Sequence, residues 1–238
     1  MVKNADNSGN FAGGLRPLPG RIHPWDISPA EARILQGRLA RSLILENRLG
    51  EATRVAGIDV GFPGGMARAA VAVLDYPGLS LVEWRAAARP IALPYIPGLL
   101  SFREGPVILD ALARLETVPD LLIFDGQGIA HPRRLGIAAH IGVLLDMPSV
   151  GCAKSRLCGQ HAEPAIEKGA QAPLIHQGEE IGRVLRTRTG VKPVYVSPGH
   201  RMDMAGSAEW VLNCCGKYKL PETTRWAHRI AGGAAPAR

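Results

Sequence analysis

The chain has 238 residues, 46% of them apolar, with a formal net charge of +7 and a sequence pI near 9.6. This excludes a chain too polar to bury a core and suits one large domain. The basic balance makes a polyanion a natural partner. No apolar run is long enough to cross a bilayer, no signal-peptide order stands at the start, and the four cysteines lack Cys-x-x-Cys spacing, so a reduced, cytoplasmic protein without membrane partners is expected.

In chain order, residues 1–20 are rich in Asn, Gly and Pro and read as a disordered tail. Ser28-Pro-Ala-Glu31 is a capping box with Pro at the first helical position, predicting a helix to about Glu46. Three strand-like runs follow, Val55–Phe62, Arg68–Leu74 and Leu81–Ala87, separated by Gly64-Gly65 and Pro77-Gly78, as in an antiparallel meander. Ser101-Phe-Arg-Glu104 reads as a second capping box, opening a helix to about Glu116 with Pro106 in its first turns. Leu121–Phe124 reads as a strand, Arg133–Leu145 as a helix and Ser149–Ala153 as a strand. Glu180–Leu185 and Pro193–Val196 read as a strand pair, and Met204–Asn213 as a helix. Residues 232–238 read as a frayed end, leaving 21–231 as a single domain. Antiparallel strands followed by strands alternating with helices predict an α/β fold, a mixed sheet with helices on both faces.

Candidate chemistry gathers at the strand ends. Asp59 interrupts an apolar strand, where a carboxylate is costly. It marks either a strand end or a metal ligand. Asp125 ends the fourth strand and could share a divalent ion with it, or simply form the Asp-Gly turn. Glu104 could aim at the same place, although locally it completes its helix cap. Three carboxylates would make a hard-oxygen site for Mg²⁺ or Mn²⁺. Gly126 and Gly128 allow close approach of a flat ligand, and His131-Pro-Arg-Arg134 adds a His and two cations there. Lys154 could contact phosphate or merely end a strand, and His200 sits at a strand-to-helix junction where it could ligate metal or donate to phosphate. The loop Pro94-Tyr95-Ile96-Pro97-Gly98, held by two prolines, could part stacked bases, or Tyr95 and Ile96 could pack beneath it. His23, His140, His161, His176 and His228 show no metal-ligand spacing and receive no catalytic role.

Five stretches together resemble the endonuclease V family of deoxyinosine 3′ endonucleases. They are Val55–Phe62, Arg89–Pro106, Asp125–Gly136, Gly151-Cys-Ala-Lys154 and Ser197-Pro-Gly-His-Arg201, in family order within residues 28–212. The resemblance implies an RNase H-like fold and a monomeric DNA-repair enzyme dependent on Mg²⁺, with Mn²⁺ as a substitute. Such an enzyme cuts inosine-containing DNA, and inosine-containing RNA as a further substrate, at the second phosphodiester 3′ to the lesion, leaving 3′-hydroxyl and 5′-phosphate ends. It further implies that Asp59, Glu104 and Asp125 hold metal, that Lys154 and His200 lie near the scissile phosphate, and that Pro94–Gly98 is a strand-separating wedge. Gly126, Gly128, His131 and Gly136 would line the pocket for the extruded base. Two features depart from the pattern. Asp203 stands where a small hydroxyl residue is expected, and Cys158–Gly178 has no counterpart. The rival readings are a non-catalytic binder of inosine-containing nucleic acid, which the three intact carboxylates oppose, and an RNase H-like resolvase or hybrid nuclease, which the wedge and His131 loop oppose.

Overall fold

The computed structural model describes residues 14–234, and eight strands among them form a single sheet in the order β3-β2-β1-β4-β5-β8-β7-β6. Strands β1 (Arg54–Gly61), β2 (Met66–Asp75) and β3 (Leu81–Pro90) make the expected antiparallel meander. β4 (Leu121–Phe124) pairs parallel with β1, and β5 (Ser149–Ala153) parallel with β4. β6 (Gln171–His176), β7 (Glu179–Leu185) and β8 (Val194–Pro198) are antiparallel, with β8 against β5. β6 is absent from the predicted elements because Pro173 interrupts its pattern. Its place at the sheet edge is where a strand tolerates a missing N–H.

The period of two in β1 sorts its residues between two cores. Ala56 and Ile58 pack with Val107, Ile108 and Leu112 of α2 (Leu100–Leu112) and Ile141 and Leu144 of α3 (Ile137–Leu145). Val55 faces the opposite side, where α4 (Met204–Asn213) contributes Val211. There Ala227 and Ile230 of α5 (Glu222–Ala231) cover Ala70, Ala72 and Leu74 of β2. α5 is absent from the predicted elements. Its buried face, Thr223, Thr224, Ala227, Ile230 and Ala231, recurs at helical spacing, but two threonines dilute the apolar signal.

Several helix boundaries move, each for a local reason. α1 (Pro29–Ala40) starts on the predicted capping box, with Ser28 Oγ accepting from the Glu31 amide and Glu31 accepting from the Ser28 amide. It stops well before Glu46, because the Ile44 amide donates to His200 Nδ1 (3.2 Å) and the Arg201 amide to the Ile44 carbonyl (2.7 Å). The second capping box does not form. α2 begins one residue before Ser101, Leu99 provides no side-chain cap, and Pro106 lies inside the helix. The Ser101 hydroxyl instead bonds His140 Nδ1 (2.9 Å). α3 starts at Ile137, after Arg134 takes φ +57°. Asp203 caps α4 by accepting from the Gly206 amide (2.7 Å), so an Asp serves that junction as well as a hydroxyl would.

Of the tail assigned as disordered, residues 1–13 lie outside the described residues. Residues 14–20 depart from the expectation: the amides of Gly14, Leu15 and Leu18 donate to the carbonyls of Leu115, Leu112 and Leu144. At the other end, the amides of Gly232, Gly233 and Ala234 bond back to α5, and residues 235–238 lie outside the described residues.

Candidate active site

Parallel pairing of β1 with β4 aligns Ile58 with Phe124, so the next residues on each strand, Asp59 and Asp125, stand side by side. The Asp125 amide donates to the Ile58 carbonyl (2.9 Å) and carries that register one step past β4. Both strands deliver these side chains to the α5 side of the sheet. There His228 Nδ1 donates to Asp59 Oδ2 (2.6 Å), and one ligand atom each of Asp59, Asp125 and His228 lie within 4.8 Å of one another. Lys154, just past β5, bonds Asp125 Oδ2 (2.5 Å).

Glu104 reaches the same charge centre from α2. Because Ser101 turns inward to His140, no capping partner holds Glu104. Its carboxyl is pushed up to about 8, first by burial and then by the charge of Asp59, with Arg103 opposing and Asp125 adding to the repulsion. Asp59 is raised too, by burial and then by Asp125, against the pull of His228 and Lys154. Glu104 stands outside the tight group of Asp59, Asp125 and His228, but it feels both carboxylates. Asp59 and Glu104 are both raised by burial and by a neighbouring carboxylate charge, even with Lys154 and His228 at hand, so the site still favours an added cation. A hard-oxygen donor set with one imidazole fits a divalent cation such as Mg²⁺ or Mn²⁺.

A cavity of about 350 Å³ opens beside Asp125 and Lys154. Gly126, His131 and Gly136 line it, as do Tyr95 and Gly98 of the proline-flanked loop. Gly128 does not. It is buried behind the wall, where an added Cβ would lie 2.0 Å from the Pro198 carbonyl oxygen, and its amide donates to Ser197 Oγ (2.9 Å). Its need for glycine comes from strand packing. The Pro94–Gly98 loop divides in role: Pro94, Tyr95 and Pro97 are exposed, whereas Ile96 packs against Leu99 and Phe102. The loop's end is pinned at the Gly98 carbonyl, which accepts from Gln36 Nε2 (3.0 Å), Arg133 Nη2 (2.8 Å) and His131 Nε2 (3.0 Å), with Gly98 at φ +78°. His131 Nδ1 accepts from the Arg133 amide, and burial drives its pKa down to about 4. His131 is therefore a neutral brace for the loop at physiological pH.

His200 is placed apart from the carboxylates. It is fully buried, with Nδ1 accepting from the Ile44 amide and Nε2 donating to Asp146 (3.0 Å). Both ring nitrogens are occupied, so its position in Ser-Pro-Gly-His serves a structural network. Arg201 and Arg21 complete that network on Asp146. Burial opposes ionisation of Asp146, but the bonds from Arg201, His200 and Arg21 outweigh it and hold the carboxyl well below its ordinary value of 3.8. A depressed carboxylate pKa adds stability that is complete above the ordinary value and is lost as pH falls below it. Asp146→Asn is thus expected to cost about 2 kcal/mol near neutrality, in a gap that narrows below pH ~4. Denaturant melts across pH check this, and a gap independent of pH would refute it.

Sequence patterns do not point to His228, which sits on the unpredicted α5, nor to Ser155, Arg156 and Leu157, which form one wall of the cavity beyond Lys154. The helical spacing of α5 was readable, but nothing in it points at Asp59.

A family model described as Endonuclease V matches residues 37–229. Endonuclease V of Nostoc sp. is 54% identical over 212 residues, covering 88% of this chain and 96% of the relative. The crystal structure of endonuclease V from Streptomyces avermitilis superposes with a TM-score of 0.84 at 40% identity, covering 93% of this chain and 97% of that one. Ciona intestinalis endonuclease V, solved in complex with a 23mer DNA containing an inosine followed by a ribo-adenosine, superposes with a TM-score of 0.74 at 26% identity, covering 87% and 97%. The fold, a meander joined in parallel to β4 and β5, is thus shared with solved members across nearly the whole chain. The chain belongs to the endonuclease V family, nucleases built on an RNase H-like fold.

Proposed function

We propose that this protein is a DNA-repair endonuclease, acting as a monomer in the cytoplasm, that recognises deoxyinosine and hydrolyses the second phosphodiester 3′ to it. The observation that carries the proposal is the side-by-side placement of Asp59 and Asp125 next to a cavity of base-accepting size. About 350 Å³ lies at the low end of ligand-pocket volumes, roughly 300–1,000 Å³, and suits one extruded base.

Asp59, Glu104 and Asp125, with His228, hold Mg²⁺, for which Mn²⁺ substitutes. When bound, that ion lowers the pKa of water and neutralises charge on the phosphate. Lys154, fixed by Asp125, presents its ammonium to the scissile phosphate. In-line attack by water expels the 3′ oxygen, leaving a 3′-hydroxyl and a 5′-phosphate. Tyr95 enters the duplex as the strand is opened, and the pinned Gly98 end keeps its loop from yielding. Backbone groups around Gly126 and Gly136 read the O6 and N1 edge of the base. The proposal extends to inosine-containing RNA, because the Ciona complex holds a ribonucleotide next to the inosine.

With Mg²⁺, an inosine-containing duplex should be nicked and a matched plain duplex left intact. Equal cleavage of both would remove the deoxyinosine reading, and failure to cut either, despite metal-dependent binding, would favour a non-catalytic binder. Tyr95→Ala should weaken binding to the inosine duplex by about 1–3 kcal/mol, the range for one lost stacking contact, and leave plain-duplex binding nearly unchanged. Equal losses on both duplexes would show that Tyr95 is no wedge.

A further inference from the structure

A second cavity, of about 550 Å³, opens on the other side of the carboxylate group. It shares Lys154 with the base-sized cavity and no other residue. Asp125 lines the first cavity and His228 the second, so the group of Asp59, Asp125 and His228 lies between them. The second cavity's remaining wall is strongly basic. Lys219, Arg225 and Arg229 join Lys154 in it, and Lys217 stands nearby, its ammonium 5.3 Å from the Tyr218 ring centroid. Among the described residues, only Arg225 of these has a carboxylate partner outside the active centre, Glu222 at 2.5 Å.

The two arginines are held in place. The Arg225 guanidinium lies 3.4 Å over the Tyr218 ring and Arg229 lies 5.0 Å from that of Trp226. The Lys219 carbonyl accepts from Thr187 Oγ1 (2.5 Å), anchoring the loop between α4 and α5, and the Glu222 amide donates to the Cys214 carbonyl (2.8 Å), closing the two ends of that loop on each other. Burial and the nearby charges of Lys192 and Lys154 act against the Lys219 ammonium. A basic cluster of this kind, short of anions and with its arginines held, has the chemistry of a phosphodiester track.

We infer that this basic cleft holds the part of the cut strand lying 3′ of the scissile phosphate, the segment that becomes the 5′-phosphate product. The assignment rests on the proposed function: with the base in the first cavity and the cut on its 3′ side, the strand crosses the carboxylates and leaves toward Lys219 and Arg229. The occupant is a single nucleic-acid strand, bound through its backbone and without base readout.

The test is the salt dependence of binding by the whole chain and its Lys219→Gln/Arg229→Gln variant, measured in EDTA so that no strand is cut. One inosine-containing duplex extends well 3′ of the scissile bond, and the other ends at the nucleotide just beyond it. On the extended duplex the variant should lose about 2 from the slope of log affinity against log salt, one for each cation removed. On the truncated duplex the two proteins should have the same slope. An unchanged slope on the extended duplex overturns the inference, and so does an equal loss on both duplexes, which would signal a general structural effect. Cleavage is measured separately with Mg²⁺. A protein that shows the slope difference and cuts nothing would sink the nuclease reading and leave the cleft as a strand-binding surface.

Discussion

Asp59→Asn is expected to lower inosine-directed cleavage by about three orders of magnitude, the upper end for losing one preorganised charge at a reacting centre, without costing fold stability. The two halves of this expectation have a common cause. Burial and Asp125 both disfavour the Asp59 carboxylate, so its charge is a burden on the folded state that the site retains for binding a cation. Asn keeps the size and still offers an oxygen to His228 Nδ1. In EDTA the variant should therefore melt at or above the wild-type temperature. With Mg²⁺ the wild type should gain stability by ligand linkage, and the variant should gain little. Cleavage kinetics with paired thermal melts check both halves. A variant that loses its thermal transition would mark Asp59 as a structural residue.

Gly57→Ala should be severe for a different reason. Gly57 lies two residues before Asp59 on the same face of β1, directly beneath α5. A Cβ there would lie 2.1 Å from the Thr223 carbonyl and 2.5 Å from the Thr224 amide nitrogen. These are backbone atoms of a helix, so no rotamer change relieves the clash, and α5 must lift. Overpacking of this kind costs about 3 kcal/mol at the top of its usual range, or about 10 °C in a chain of this size. Lifting α5 also carries His228 away from Asp59, so the Mg²⁺-dependent gain in melting temperature should shrink in parallel. Gly50→Ala is the control, since a Cβ there meets nothing within 4 Å. Equal melting temperatures for the two variants would show that α5 does not seat on Gly57.

Much of this architecture is legible in the residues. The meander shows in its alternating apolar strands and its Gly and Pro turns, and β4, β5 and α4 fall within a residue or two of their predicted limits. β6 and α5 were hidden because each weakens its own pattern, β6 with Pro173 and α5 with its threonines. Family resemblance, where local chemistry favoured a cap, directed Glu104 to the carboxylate group. The structure supplies the physical reason, a helix that starts too early for Ser101 to cap it. The same resemblance placed His200 near the phosphate, and there the packing disagrees, because both ring nitrogens are used within the core.

By itself, the sequence determined the types of the main elements and the presence of three carboxylates, a lysine and a proline-braced loop, because these follow from local periodicity and residue chemistry. Only the tertiary structure decided which of them meet. The alignment of Ile58 with Phe124 brings Asp59 beside Asp125, and the packing of α5 on Gly57 brings His228 onto Asp59 across 169 positions. Parallel pairing and helix docking join residues far apart in the chain, and no local pattern encodes the register in which they join.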